Sequence, residues 1–266
     1  MSNQPYLDRK PGTPDLPDKE VSPKGYSRLQ VSAKAIEATK VAIQNQGNQI
    51  PALKRTNMNS KYRLDAMRDP RAWEYTTRES AQLARENPEA AYAAKANLAH
   101  GGNCGEHAWV AYHYLRLHAG GENIQLSQKS GLDHGFVIVG DLKSDKDNEL
   151  AVSDPWPNSP MACLWEDHFA HTADRTKIIN HQSMVADGKS FQAAIQAGLK
   201  LSSYGEQLIK MSDSEEETKK QTDDSTANHF WNHEKTTKTG HEFDYKPAAP
   251  AQQPATTEGQ QSTTRE

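Results

Sequence analysis

The fold is decided by one stretch, residues 101–109, with the sequence GGNCGEHAW. Its two leading glycines make a turn, after which Cys104 opens an apolar run that continues to Leu117. The apolar residues of this run recur with the i, i+3, i+4, i+7 spacing of a helix and cover most of its circumference, which predicts a buried helix. Gly120 and Gly121 predict its end. Cys104 is therefore predicted in the first turn of the central helix of the domain.

Three short strands are predicted after this helix. Residues 123–127 alternate between polar and apolar side chains, residues 136–139 form a continuous apolar run that is β-branched at three positions, and residues 149–153 form a shorter run. The charged segment 140–148 between the last two predicts a hairpin loop.

Flanking helices are predicted on the N-terminal side of residue 101. Thr76 or Thr77 caps a helix that runs through Glu86, and Pro88 suits the first position of a second helix. Residues 51–70 carry no clear periodicity and are predicted as an irregular, basic connector.

Cys104 has the surroundings of a nucleophile. The thiolate is the attacking form of a cysteine, and the unpaired N–H groups and partial positive charge of a helix N-terminus favour an anion. Glycines at positions 101, 102 and 105 leave room for a substrate, and backbone N–H groups there could bind an oxyanion. The structural alternative is a small buried cysteine at a helix start, and Cys104 alone does not decide between the two.

Two later residues could complete a triad with Cys104. His134 precedes the apolar strand 136–139, and Asp154 follows the strand 149–153. A carboxylate at that position could accept the imidazole N–H and fix its tautomer and orientation. A lone histidine before a strand is usually incidental and Asp-Pro commonly starts a turn, so the joint pattern carries the prediction. The order Cys, His, Asp predicts a thiol enzyme that acts on amides.

Three phrases of the sequence also resemble a known superfamily: NCGEHA at 103–108, DHGFV at 133–137 and SDPW at 153–156. They are similar to the papain-like and transglutaminase-like thiol hydrolases, in particular bacterial effectors and toxins with a Cys-His-Asp triad. Those are proteases of the YopT/AvrPphB type and glutamine deamidases such as the catalytic domain of Pasteurella multocida toxin. The resemblance covers roughly residues 95–170. It implies a papain-like α+β fold, with a central helix bearing the nucleophilic cysteine, packed on a small antiparallel sheet, and helices on the flanks.

The oxyanion donor departs from the papain pattern. Papain-type enzymes usually place a glutamine several residues before the cysteine, whereas positions 97 and 103 here are asparagines. The candidates for the oxyanion site and its surroundings are therefore Asn103, Asn97 and Gly105, or the backbone alone. His107 lies one helical turn after Cys104 and is interpreted as a packed or capping histidine.

No cofactor and no metal is predicted. Zinc ligands could be drawn from His100, Cys104, Cys163, His168 and His171, but the usual ligand spacing is missing. The sequence contains no P-loop, GxGxxG or GxSxG motif. Its two cysteines are too few for a disulfide framework and are predicted as free thiols. A net charge of −4 with both signs dispersed gives no electrostatic case for nucleic acid.

Composition divides the chain into three parts. Residues 1–27 are polar and proline-rich and are predicted to be disordered, residues 28–211 form the catalytic domain, and residues 212–266 form a largely disordered acidic and Pro-Gln-Thr tail. Within this tail, residues 229–245 are rich in aromatic side chains. They are interpreted as a segment that packs on the domain or as a motif that binds a partner.

The expected protein is a bacterial effector or toxin. No apolar run approaches the ~20 residues that span a bilayer, and the N-terminus lacks the apolar segment of a Sec signal. We expect synthesis in the bacterial cytoplasm without a Sec signal. The resemblance implies delivery into a host or target cell and a protein substrate, hydrolysed by a protease or a glutamine deamidase. The alternatives are a protein transglutaminase, a zinc hydrolase and a non-catalytic interaction protein on the same scaffold.

Overall fold

The structure, a computed structural model, is α+β and describes residues 15–223 and 242–249. Its helices are α1 (Pro23–Ala42), α2 (Ile50–Arg55), α3 (Asn59–Arg68), α4 (Arg78–Glu86), α5 (Pro88–Ala99), α6 (Cys104–His118), α7 (Gln192–Ala197), α8 (Ser203–Leu208) and α9 (Glu215–Asp223). Its strands are β1 (Asp18–Val21), β2 (Asn45–Gln46), β3 (Trp73–Tyr75), β4 (Gly101–Gly102), β5 (Asn123–Lys129), β6 (Gly135–Val139), β7 (Ala151–Ser153), β8 (Cys163–Leu164), β9 (Ile178–Val185), β10 (Leu199–Leu201) and β11 (Asp244–Pro247). No helix in these two ranges is long and apolar enough to cross a bilayer.

Five strands form one antiparallel sheet in the order β8-β7-β6-β5-β9. The three predicted strands are present as its central members β5, β6 and β7. Val137 lies opposite Ser153, and Leu126 lies opposite Val137 on the other side. Because β6 and β7 are antiparallel, the start of β6 and the end of β7 lie next to each other at the same end of the two strands. His134, just before β6, and Asp154, just after β7, lie at this end of the strands.

Helix α6 packs on this sheet and begins at Cys104, as predicted. Its Ala111 and Leu115 are fully buried together with Ile138 of the sheet and Ile36 of α1, which packs beside α6. Each large apolar side chain buried in this way stabilises the fold by about 1.5–3 kcal/mol. The chain leaves the helix through Gly121, whose φ of +81° is in the left-handed region that favours glycine.

A second apolar core lies among the flanking helices and is built around α5. Six alanines of α5 are buried, and their small side chains allow α3, α6 and α7 to approach closely. Pro88 occupies the first turn of α5, and the Thr77 side chain caps α4 by accepting the Ser80 N–H, as predicted. The predicted connector 51–70 is wrong, because α2 and α3 occupy it. The two helices are short and basic, and the buried face of α3 places the polar Ser60 beside Leu64 and Met67, so the apolar pattern is weak.

The ordered chain extends past both predicted domain boundaries, 27/28 and 211/212. Helix α1 begins at Pro23 because Ser22 caps it by accepting the Gly25 N–H at 3.1 Å. Within the tail predicted as largely disordered, α9 is helical and β11 pairs in parallel with β1. Composition missed these elements because they are held by contacts with distant residues. Tyr245 of β11 is buried and donates its hydroxyl to Asp167 at 2.8 Å.

The aromatic segment predicted at 229–245 is described only in its last four residues. Residues 229–241 lie outside the described part of the chain. Phe243 packs against the apolar core, and Tyr245 is only 5% exposed. This end of the segment therefore packs on the domain, which is the first of the two interpretations.

Candidate active site

The adjoining ends of strands β6 and β7 bring His134 and Asp154 into direct contact. Nε2 of His134 lies 2.7 Å from Oδ2 of Asp154, and both side chains are fully buried. His134 immediately precedes β6 and Asp154 immediately follows β7, so the antiparallel register sets them side by side. The imidazole is therefore held through Nε2 by a carboxylate, which leaves Nδ1 for another group.

Cys104 interacts with the same imidazole. It is the first residue of α6 and is partly exposed, whereas the ring is buried. Its side chain is close enough to the ring to contribute to the raised pKa of His134. Because Asp154 occupies Nε2, the nitrogen available to the thiol is Nδ1, which is buried and has no hydrogen-bond partner among the described residues. The structure thus brings together the three residues predicted as a triad.

The electrostatics of the site favour a protonated His134. Burial lowers the pKa of His134, but the charge and hydrogen bond of Asp154, with a smaller contribution from Cys104, outweigh it and raise that pKa above its usual value. Burial raises the pKa of Asp154, but His134 and a hydrogen bond from His168 outweigh it and lower that pKa well below its usual value. An imidazolium next to a cysteine sulfur stabilises the thiolate, the form that attacks a carbonyl.

Asp154 has two further partners that sequence reasoning missed. His168 places its Nε2 3.1 Å from the same Oδ2 that His134 contacts. The backbone N–H of Trp156 donates to Oδ1 at 3.3 Å. From the sequence, His168 is a candidate only for a zinc ligand. No local pattern distinguishes it, because it lies in an irregular segment after β8 and reaches Asp154 only through the fold.

Aromatic rings enclose the imidazole of His134. The ring centroids of Trp156, Phe169 and Phe136 lie 5.1, 5.2 and 6.0 Å from its own. These side chains keep water away from the contact between His134 and Asp154. A lower local dielectric strengthens the electrostatic attraction between the two groups.

A buried carboxylate fixes the start of α6. Glu106 is fully buried and accepts hydrogen bonds from Arg68 at 2.8 Å, from the Tyr92 hydroxyl at 2.5 Å and from the Asn103 backbone N–H at 2.8 Å. Burial raises the pKa of Glu106, but Arg68 outweighs it and lowers that pKa. These bonds hold the turn that presents Cys104.

The three candidate oxyanion donors, Asn97, Asn103 and Gly105, lie in different surroundings. Asn97 donates its side-chain amide to Gln196 at 3.0 Å, so this amide connects α5 with α7. Asn103 directly precedes Cys104, but its Oδ1 is buried and has no hydrogen-bond partner within residues 15–223 and 242–249. Beside Gly105 the space is open: apart from its chain neighbours and the nearby backbone of α6, no atom of the described residues lies within 4 Å of the position that a Cβ would take. The first N–H groups of a helix have no acceptor within it, so the backbone at Cys104 and Gly105 is the remaining candidate for an oxyanion site.

His107 does not belong to the triad. It is fully buried, and its Nδ1 lies 2.7 Å from the backbone oxygen of Asn103, to which it donates as an N–H. Burial lowers the pKa of His107 to about 3, which keeps the ring neutral. The interpretation of His107 as a packed, capping histidine agrees with this placement.

One group of side chains has donor atoms close enough for a metal ion. Among the described residues, only His134, Asp154 and His168 place three such atoms within 4.8 Å of one another. Both imidazoles already contact the same carboxylate oxygen at hydrogen-bond distance. All three side chains are buried, whereas a catalytic zinc needs an open position for water. The residues therefore fit a hydrogen-bonded network better than a catalytic metal site.

Comparison of the chain with protein-family models, with curated proteins and with solved structures gave no match. Its papain-like character therefore stays a prediction from the residues.

Proposed function

We propose that the protein is a cysteine-dependent acyl-transfer enzyme that hydrolyses amides of a protein substrate. The observation that carries the proposal is the 2.7 Å contact between His134 and Asp154, fully buried, with the partly exposed thiol of Cys104 interacting with the same ring. A structural histidine would not need a buried carboxylate on one nitrogen and a cysteine at the other.

The proposed reaction has two halves. The Cys104 sulfur attacks the amide carbonyl, and the oxyanion accepts hydrogen bonds from the N–H groups at the start of α6. Protonated His134 then gives its Nδ1 proton to the leaving amine, the C–N bond breaks and a thioester forms. Water attacks the thioester with His134 as the base, which releases the acid and the thiol. Asp154 keeps the ring oriented in both halves.

The finer assignment draws on the superfamily resemblance. A central helix that begins at the nucleophile and packs on an antiparallel sheet supports a papain-like arrangement. The same triad serves a protease, a glutamine deamidase or, with an amine in place of water, a transglutaminase. With the resemblance, we propose a bacterial effector or toxin that cleaves or deamidates a protein of the target cell.

The two cysteines are expected to differ in reactivity. Cys163 lies in β8, fully buried, and burial raises the pKa of its thiol well above the usual value. At neutral pH, iodoacetamide should label Cys104 at least about tenfold faster than Cys163. His134→Ala should slow the labelling of Cys104 because the thiolate loses its cationic partner. The control is His113→Ala, a buried histidine bonded to Ser190. Equal rates, unaffected by His134→Ala, would favour the non-catalytic interaction protein.

The reaction type can be measured in a target-cell lysate. The lysate is incubated with wild type, with Cys104→Ala and with Cys163→Ala, and its proteins are compared by mass spectrometry. Conversion of particular glutamines to glutamate means deamidation, new peptide termini mean proteolysis, and crosslinked or amine-modified glutamines mean transamidation. Wild type and Cys163→Ala should give the same products. If Cys104→Ala gives them too, the proposed function is wrong.

A further inference from the structure

We propose that His168 is a positioning residue of the active site, a role that rests on the proposed function. It donates a hydrogen bond to Asp154 and so fixes the carboxylate that orients His134. One oxygen, Oδ2 of Asp154, lies 2.7 Å from Nε2 of His134 and 3.1 Å from Nε2 of His168. The triad is thereby extended to four side chains in the order Cys104, His134, Asp154, His168.

Backbone contacts define the tautomer of His168. The Ala170 N–H donates to Nδ1 of His168 at 3.3 Å, so this nitrogen carries no hydrogen. The proton of the neutral ring is then on Nε2, which donates to Asp154. Burial lowers the pKa of His168, in agreement with a neutral ring. His168 therefore acts as a neutral donor, and the positive charge stays on His134.

The bond from His168 removes the remaining freedom of the carboxylate. Trp156 donates its backbone N–H to Oδ1 of Asp154, and the two imidazoles share Oδ2. Without His168, the carboxylate could rotate about its Cβ–Cγ bond and still keep a bond to Trp156. With it, Oδ2 stays in line with Nε2 of His134, and Nδ1 of that ring stays directed at the thiol.

The ring of His168 is itself rigidly held. It packs against Phe169, Phe136 and Trp165, with ring centroids 4.5, 4.9 and 6.1 Å away. The preceding residue, Asp167, accepts hydrogen bonds from Lys19 of β1 at 2.7 Å and from the Tyr245 hydroxyl of β11 at 2.8 Å. The paired terminal strands therefore anchor the segment that carries His168. Because the ring of His168 is held rigidly, its Nε2–H donor can hold the carboxylate of Asp154 in place.

The test compares His168→Phe, which keeps a ring but loses the donor, with His168→Gln, which keeps an N–H donor. Partners that orient metal-ligating side chains typically contribute about 10–100-fold to activity. By analogy, His168→Phe should lower kcat about 10–100-fold with little change in KM. The hydrogen bond from His168 also lowers the pKa of Asp154. Loss of this bond should raise the pKa of Asp154, so that its carboxylate is protonated, and the site disrupted, at a higher pH. The pH below which the rate of Cys104 alkylation falls should therefore move upward. His168→Gln should restore both kcat and this pH profile in part.

The matched control is His171→Phe. His171 lies on the same segment and packs against Trp165, but it bonds to Asp147 at 2.9 Å and not to Asp154. His171→Phe should leave kcat and the pH profile of Cys104 alkylation unchanged. The positioning role is overturned if His168→Phe behaves like wild type, or if it loses activity without an upward shift of this pH profile. If His168→Phe does not fold, His168→Gln decides through the same two readouts. Failure of the proposed function is distinguishable, because Cys104 of wild type would then show no enhanced alkylation.

Discussion

Cys104→Ala is expected to lower kcat by about 10⁴-fold or more, because removal of a nucleophile leaves only binding and the oxyanion site. The fold should stay intact. Cys104 is partly exposed at the first position of α6, and alanine is favourable in a helix. The measurement is the initial rate on the glutamine or peptide bond that the lysate experiment identifies, together with the urea midpoint of unfolding.

Cys163→Ala is the matched control for this prediction. It should lower stability slightly and leave turnover unchanged. Cys163 is fully buried in β8 beside β7, so its truncation leaves a small cavity and lowers the free energy of unfolding by about 1 kcal/mol. Its turnover should stay close to that of wild type. Substantial turnover by Cys104→Ala, or its loss in a folded Cys163→Ala, would contradict the assignment of the nucleophile.

Asp154→Ala should lower both stability and activity. Removal of one partner of a buried ion pair costs about 3–5 kcal/mol, since the other charge remains buried without compensation. Here the change leaves His134 without its carboxylate and His168 without an acceptor. In Ser-His-Asp enzymes, loss of the aspartate function lowers kcat about 10⁴-fold, and we expect a similar loss. Urea unfolding and the initial rate measure the two effects.

The stability difference between wild type and Asp154→Ala should depend on pH. The lowered pKa of Asp154 contributes stability that is present above the unfolded value of about 4 and is lost as the pH falls further. The raised pKa of His134 contributes stability that is fully present below the unfolded value of about 6.5 and is lost as the pH rises through the folded pKa. The difference should therefore be largest between about pH 4 and 6.5 and should shrink on both sides.

The control for this prediction is Asp133→Ala. Asp133 neighbours His134 in the chain but is exposed. Its replacement should change stability by no more than about 0.5 kcal/mol, the usual range for surface positions. A difference between wild type and Asp154→Ala that is constant from pH 3 to pH 9 would contradict the ion pair of His134 with Asp154.

Much of the fold near the site could be predicted because its signals are local. The apolar spacing after Cys104 predicts α6, and the glycines before and after it predict its ends. The apolar runs predict β5, β6 and β7, because these strands are central and buried. In contrast, β9 is an exposed edge strand, and its sequence IINHQSMV lacks the alternation that burial of one face imposes.

Sequence patterns by themselves determined the helix that presents Cys104, the three central strands, and the identities of His134 and Asp154 as residues that flank strands. These features follow from side-chain periodicity and turn chemistry within about 20 residues of the chain. Only the tertiary structure decided that Asp154 holds the imidazole through Nε2, that His168 shares the same carboxylate oxygen, and that Asn97 is occupied elsewhere. Contacts of this kind join residues distant in sequence, and their partners become neighbours only when the sheet register and the packing of α6 are set.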